Sequence, residues 1–181
     1  MKPEFQAKFL QYLNRQKKEE GFTLIELLVV IIIIGILAAI ALPSLLAQVN
    51  KAKQAEAKNN IGATNRAQQA YYLEYQEFTT DLTQLGVGIK TQTTNFLYTI
   101  ELASEIINNK AYSVPGKKGL KAYTGIVGTL VGNTQTGEAL TVAFACESNI
   151  PTTTKADNAT SVNASSGGGC PGGYKDLSAT K

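Results

Sequence analysis

Hydrophobic positions crowd one stretch of the chain and then thin into periodic patterns. From Leu27 to Ala47 there are 21 residues without a formal charge, an Ile/Leu/Val/Ala run interrupted only by Gly35, Pro43 and Ser44. Wound as a helix at about 1.5 Å per residue, the run spans roughly 30 Å, the thickness of one bilayer core. After Ala47 the composition turns polar without a break, from Gln48 through Lys58. Val49, Ala52, Ala55, Ala63, Ala67, Ala70 and Tyr71 then recur at mostly three- and four-residue spacing. Small residues on such a stripe predict a helix laid closely against a sheet. Gly62 weakens that helix without ending it. The spacing therefore predicts one helix from about Phe22 to Tyr75, roughly 80 Å long if unbroken. Pro43 cannot donate to the backbone ladder and Gly35 is a second soft point, so a kink or local opening is expected there. Tyr71, Tyr72 and Tyr75 read as packing residues, because aromatics bury large areas.

From Asn95 the period changes to two. Phe96, Tyr98, Ile100 and Leu102 alternate with Leu97, Thr99 and Glu101, predicting a strand. Further strands are expected over 120–131 and over 140–146, where Leu140, Val142, Phe144 and Cys146 share one face. Tyr112 to Val114 begins another short one. Pro115-Gly116, Gly119, Gly132-Asn133 and Thr136-Gly137 supply the turns. The economical fold is α+β: an antiparallel sheet of three to five strands on the second half of the helix. Between Tyr75 and Asn95 lies a connector. The tail from Glu147 is rich in Thr, Ser, Asn and Gly and by itself would not fold.

Charge and composition narrow the function classes. The 17 Lys/Arg and 14 Asp/Glu leave a formal charge of +3, too small for a nucleic-acid surface unless clustered. Lys117, Lys118 and Lys121 make a small cluster that an anionic partner such as DNA or polysaccharide would meet. Histidine is absent, which removes the commonest general base and metal ligand. No nucleophile, base and oxyanion set can be assembled, so no catalysis, cofactor or metal is expected. Gly86-Val-Gly88-Ile-Lys90-Thr91 lacks phosphate-loop spacing. Gly125 and Gly128 lie inside a strand pattern, where a bulge or close packing is expected. Cys146 and Cys170 lack zinc-ligand spacing, and a disulfide is the natural reading if the domain leaves the cytoplasm. Asn158-Ala-Thr160 and Asn163-Ala-Ser165 match the glycosylation pattern, beside the plainer reading of a polar loop.

Upstream of the apolar run, Lys2, Lys8, Arg15, Lys17 and Lys18 face Glu4, Glu19 and Glu20. Such a positive flank keeps the amino end cytoplasmic while the rest crosses. Ala39-Ile40-Ala41 offers a small-x-small cleavage site, so a secreted binding module cut after Ala41 is one reading. Against it, Glu19, Glu20 and Glu26 crowd the start of the core, and Leu42, Leu45 and Leu46 continue it. Glu26 needs its own account, since a carboxylate costs about 2.5–3.5 kcal/mol at a membrane helix centre and less near an end. One answer is local: Thr23 and Glu26 fit a Ser/Thr-x-x-Glu capping box at the positive end of the helix dipole.

The junction Lys17-Lys18-Glu19-Glu20-Gly21-Phe22-Thr23-Leu24-Ile25-Glu26-Leu27 resembles the class III signal of type IV prepilins, of the type IVa-like major kind. The resemblance runs over 17–58 and continues in outline through the globular part. It implies a pilin fold with four regions. These are a cleaved leader (1–21), a transmembrane and filament-core helix (22–47), its amphipathic half (48–75), and a β-sheet head (76–181). A leader of 21 residues is longer than is usual where the mature chain starts with Phe. In the family, prepilin peptidase cuts between residues matching Gly21 and Phe22 and methylates the new amine. The residue matching Glu26 then pairs with the amine of Phe22 in a neighbouring subunit, and the Gly35–Pro43 region loosens in the filament. Breaking a buried ion pair costs roughly 3–5 kcal/mol, so each charge needs the other. A Cys146–Cys170 bridge would close a surface loop over 147–169, which the loop-entropy model values at about 3.5 kcal/mol. The implied partners are other pilin subunits, the peptidase and an inner-membrane platform with ATPase motors. The implied locations are inner membrane, then extracellular pilus, serving twitching motility, adhesion or DNA uptake. A pseudopilin of type II secretion shares the junction and the long helix. Some of those carry a calcium site, whose acidic Gly-rich loop is not evident in this sequence.

Overall fold

A computed structural model describes residues 7–12, 21–103, 105–131, 139–159 and 169–177. The chain forms two compact units, Met1–Leu46 and Ala47–Lys181. Residues 7–12 are helical. The long helix runs over Leu24–Tyr75, 52 residues, and remains helical through Gly35 and Pro43. Ile, Leu and Val runs are poor at stopping a helix, and Ala, Gln, Glu and Lys beyond Ala47 favour continuing it. It ends at Gln76, whose left-handed backbone (φ 59°) lets its N–H donate to the carbonyl of Tyr72 at 2.8 Å. That bond satisfies one of the carbonyls every helix end leaves open.

In the second unit the sheet has five antiparallel strands in sequential order: β1 Phe96–Ala103, β2 Ile106–Ser113, β3 Tyr123–Val131, β4 Ala139–Ser148 and β5 Tyr174–Asp176. The register pairs Asn109 of β2 with Gly125 of β3, and Gly125 with Ala145 of β4. On the helix side, Ala57 and Ile61 pack with Phe96, Tyr98, Ala111, Leu120 and Tyr123. On the opposite side, Ile106, Ile126 and Cys146 pack with Ala159, Cys170 and Tyr174. The sheet is thus covered on both faces, by helix on one and by the carboxyl-terminal segment on the other.

That double cover explains where the strand expectations fail. Three strands stand close to their predicted places, β1, β3 and β4. The strand expected to begin at Tyr112 instead nearly ends there, because β2 starts at Ile106. Its sequence, IINNKAYS, shows no alternation since almost every residue is buried, whichever face it occupies. Asn108 and Lys110 point to the outer side, and Asn109 and Ala111 to the helix. The tail strand β5 was hidden in polar sequence, held by Cys146–Cys170 and by pairing of Glu147 with Lys175. The turn residues at 132–133 and 136–137 lie outside the described residues.

The docked face of the helix is also not the predicted one. Ala52, Ala55 and Ala70 are exposed, and Ala63 and Ala67 only half-buried. The buried positions are Ala57, Ile61, Thr64, Asn65 and Gln68. Polar side chains win this face because they find partners there. Asn65 Nδ2 donates to the Phe144 carbonyl at 2.9 Å, Asn109 Nδ2 donates to Asn65 Oδ1 at 2.9 Å, and Gln68 Nε2 donates to the Thr79 carbonyl at 2.6 Å. Buried polar groups are tolerated when they are so bonded. Gly125 makes the first two possible: a Cβ there would lie 2.0 Å from Asn65 Oδ1. The close packing expected at this glycine is what lets Asn65 lie across β3 and reach both neighbours.

Candidate functional site

At the start of the long helix, the capping box is formed. Glu26 Oε2 accepts from the Thr23 backbone N–H at 2.8 Å and from the Thr23 hydroxyl at 2.7 Å, while the Glu26 N–H donates to Thr23 Oγ1 at 3.3 Å. These bonds satisfy the first turn locally and leave Glu26 Oε1 outside the box. Phe22 is 84% exposed, and a Cβ on Gly21 would meet nothing within 4 Å. The Gly21–Phe22 bond is therefore unobstructed by the described residues. Most of the segment expected to be a leader, residues 1–6 and 13–20, lies outside them.

Phe22, Ile25, Glu26, Val29 and Val30 line one open groove along this helix face. The groove's surface is apolar, and Glu26 lines it through nonpolar atoms while its Oε2 turns to Thr23. From Leu24 to Leu46 no residue is buried. The span is long and apolar enough to cross a membrane. Gly35 and Pro43 lie within it, apart from Glu26 along the helix. The structure brings Phe22 and Glu26 onto one face.

In the head, Cys146 and Cys170 are joined as a disulfide. The bridge anchors a segment further clasped by two groups that periodicity did not reveal. Asn108 Oδ1 accepts from the Ala159 N–H at 2.9 Å, and Asn108 Nδ2 donates to the Ala159 carbonyl at 3.4 Å. Glu101 bridges buried Lys110 at 2.9 Å and Lys155 at 2.5 Å. Burial would raise the Glu101 pKa, but hydrogen bonds and charge from both lysines outweigh it and lower it. Residues 160–168 of the loop, including Thr160 and Asn163 of the sequence patterns, lie outside the described residues.

Beside the helix, Glu147 of β4 gathers three lysines: Lys121 at 2.6 Å, Lys58 at 2.8 Å and Lys175 at 3.4 Å. Burial again opposes ionisation, and the hydrogen bonds from Lys121 and Lys58 more than reverse it, to a pKa of about 2. Lys58 also lies over the Tyr123 ring, 5.6 Å from its centroid. One of the three lysines of the predicted basic cluster, Lys121, is thus committed to a structural ion pair. Nothing local in the sequence marks Glu147, since its partners come from the helix, the β2–β3 connection and the tail.

Residues 54–171 match the family model of type IV pilin-like G and H proteins, and residues 16–42 match that of the prokaryotic N-terminal methylation motif. The chain belongs to the type IV pilin-like family. Among its relatives, the type IV major pilin protein PilA of Myxococcus xanthus is 42% identical over 69 residues, 38% of this chain and 31% of that one. The type IV wide pilus major component PilA4 of Thermus thermophilus is 35% identical over 89 residues, 49% of this chain and 68% of that one. The type II secretion system core protein G of Dickeya chrysanthemi is 34% identical over 79 residues, 44% and 52% respectively. The chain thus spans about a third of the first relative and half to two thirds of the others. No solved structure matches. The long helix followed by a five-stranded antiparallel sheet agrees with the pilin fold expected from the junction.

Proposed function

We propose that this chain is the precursor of a structural pilin subunit, cut between Gly21 and Phe22 and polymerised into a surface filament. The observation that carries the reading is an apolar helix, Leu24–Leu46, with no residue buried, headed by one carboxylate. Removing the leader, residues 1–21, gives Phe22 a protonated amine, which the peptidase then methylates. Glu26 of a neighbouring subunit supplies the counter-charge in the apolar core, using the oxygen that the capping box leaves over. The helix over 22–47 holds the precursor in the inner membrane and the filament together afterwards. Gly35 and Pro43 are where its ladder loosens on assembly. The amphipathic half, 48–75, carries the head, 76–181, which includes the disulfide-closed loop, 147–169. Prepilin peptidase and an ATPase-driven platform are the partners in export, and motility, adhesion or DNA uptake the services of the pilus.

The second reading is a type II secretion pseudopilin, which the similarity to core protein G keeps in view. Gly21→Ala tests what the two share. Full-length precursor should accumulate in the inner membrane, whereas wild-type processing would refute the cleavage site. Sequencing the amino terminus of protein sheared from cells should return N-methyl-Phe22. Leu42 in its place would mean a secreted module cut after Ala41. Deleting the gene then separates the pair: loss of pili and motility supports a pilin, and loss of secreted enzymes a pseudopilin.

A further inference from the structure

The second unit is electrically polarised along its helix. Near Asn50, the turn Val114–Gly119 presents Lys117 and Lys118, both exposed, and a Cβ on Gly119 would lie 3.0 Å from Asn50 Nδ2. Lys51 and Lys53 stand on the adjoining helical turn, where the nearest helix acid, Glu56, accepts a hydrogen bond from Asn95. At the other end, around Tyr75, a cleft is lined by Tyr72, Phe78 and Leu102 and rimmed by Glu77 and Glu105. Glu74 adds a third carboxylate, raising the Tyr75 pKa by its charge. The helix stops before covering the end of β1, so Leu102, which shares the face of buried Phe96 and Tyr98, is left 54% exposed. The Tyr72 and Phe78 rings lie 4.8 Å apart in the same cleft.

Among the described residues, no ion pair includes Lys51, Lys53, Lys117, Lys118, Glu74, Glu77 or Glu105. The helix between Asn50 and Tyr75 rises roughly 37 Å. That is several times the screening length of about 8 Å at physiological salt, so the two ends cannot neutralise each other within one chain. A second copy can. We infer that the aromatic cleft at the Tyr75 end of one head docks the Lys117–Lys118 turn of another copy. The lysine stems cover Leu102 and the rings, and the ammonium groups meet Glu77 and Glu105. This rests on the subunit reading above and adds a head-to-head contact, which sets register between copies through charge.

Filaments sheared from cells and treated with a zero-length carbodiimide test it directly. The expected products join Lys117 or Lys118 to Glu77 or Glu105, groups too far apart to react within one chain. Amides of Glu147 with Lys58, Lys121 or Lys175 serve as the internal positive control. Lys117→Glu with Lys118→Glu should lower filament recovery about fivefold, and Glu77→Lys with Glu105→Lys likewise, given the modest worth of exposed pairs. Combining all four should restore recovery to within about twofold. Unchanged thermal unfolding of each variant excludes misfolding as the cause. If wild-type filaments form but yield only the control amides, or the charge variants assemble normally, this contact is wrong and the subunit reading stands. If the wild-type chain makes no filaments, both fall.

Discussion

Leu24–Leu46 and Ala47–Tyr75 belong to one helix and treat hydrophobicity in opposite ways. The first is almost wholly aliphatic and none of its residues is buried. The second buries Thr64, Asn65 and Gln68 while leaving Ala52, Ala55, Ala70 and Leu73 exposed. An exposed aliphatic helix states a requirement for surroundings that the chain itself does not supply. At about 25 cal/mol per Å² of apolar surface removed from water, lipid or further subunits would supply a large driving force. The docked half meets its needs internally, through hydrogen bonds that fix one geometry. Greasy surface is general and serves any apolar environment, whereas the polar face fits a single sheet. One half leaves its apolar surface open, and the other closes its own contacts.

The largest effect is expected at Glu26, in the apolar half. Glu26→Ala should be processed at Gly21 yet lower filament recovery roughly a hundredfold, the scale of losing one partner of a buried pair. Wild-type piliation in that variant would reduce Glu26 to its capping box. On the docked half, Gly125→Ala should cost about 3 kcal/mol, because the new Cβ expels Asn65 and leaves its buried partners unbonded. Denaturant unfolding of the full chain in detergent micelles measures this. Asn65→Ala added to Gly125→Ala should cost less than the two losses summed, since both break the same contact.

The smallest effect is electrostatic. Glu147 ionises more readily in the folded chain than in the unfolded one, from about 4.5 down to about 2. Its contribution is therefore complete above pH about 4.5 and fades as pH falls towards about 2. Glu101, also lowered, adds in the same direction. Glu147→Gln should destabilise the head at pH 7 by about 1–3 kcal/mol, less than a fully buried pair because Lys58 and Lys175 reach solvent. The same substitution should flatten the acid side of the stability profile. An unchanged acid limb would mean the three lysines hold no net stability.

Much of the architecture was legible because it rests on local signals. The run from Leu27 to Ala47 announces a membrane-length helix, and Thr23 with Glu26 announces its cap. The period-two pattern from Phe96 to Leu102 announces β1, whose outward residues include Glu101. The β2 strand escaped because alternation appears only when one face meets water, and this strand has protein on both. The alanine stripe misled for a related reason. Small residues permit close approach without demanding it, and here Asn65 above Gly125 made the closer contact.

By itself the sequence determined the long helix, its apolar and polar halves, the sheet that follows, and the family junction around Gly21, Phe22 and Glu26. These are properties of neighbouring residues, set by helix propensity, hydrophobic period and cap chemistry. Only the tertiary structure decided which helical face docks, how the tail is clasped, and which lysines Glu147 holds. Each depends on a polar group finding a partner from a distant part of the chain, as Asn65 finds Phe144 across 79 residues. Burying a polar group is favourable only once that partner is in place, and no one-dimensional pattern carries that condition.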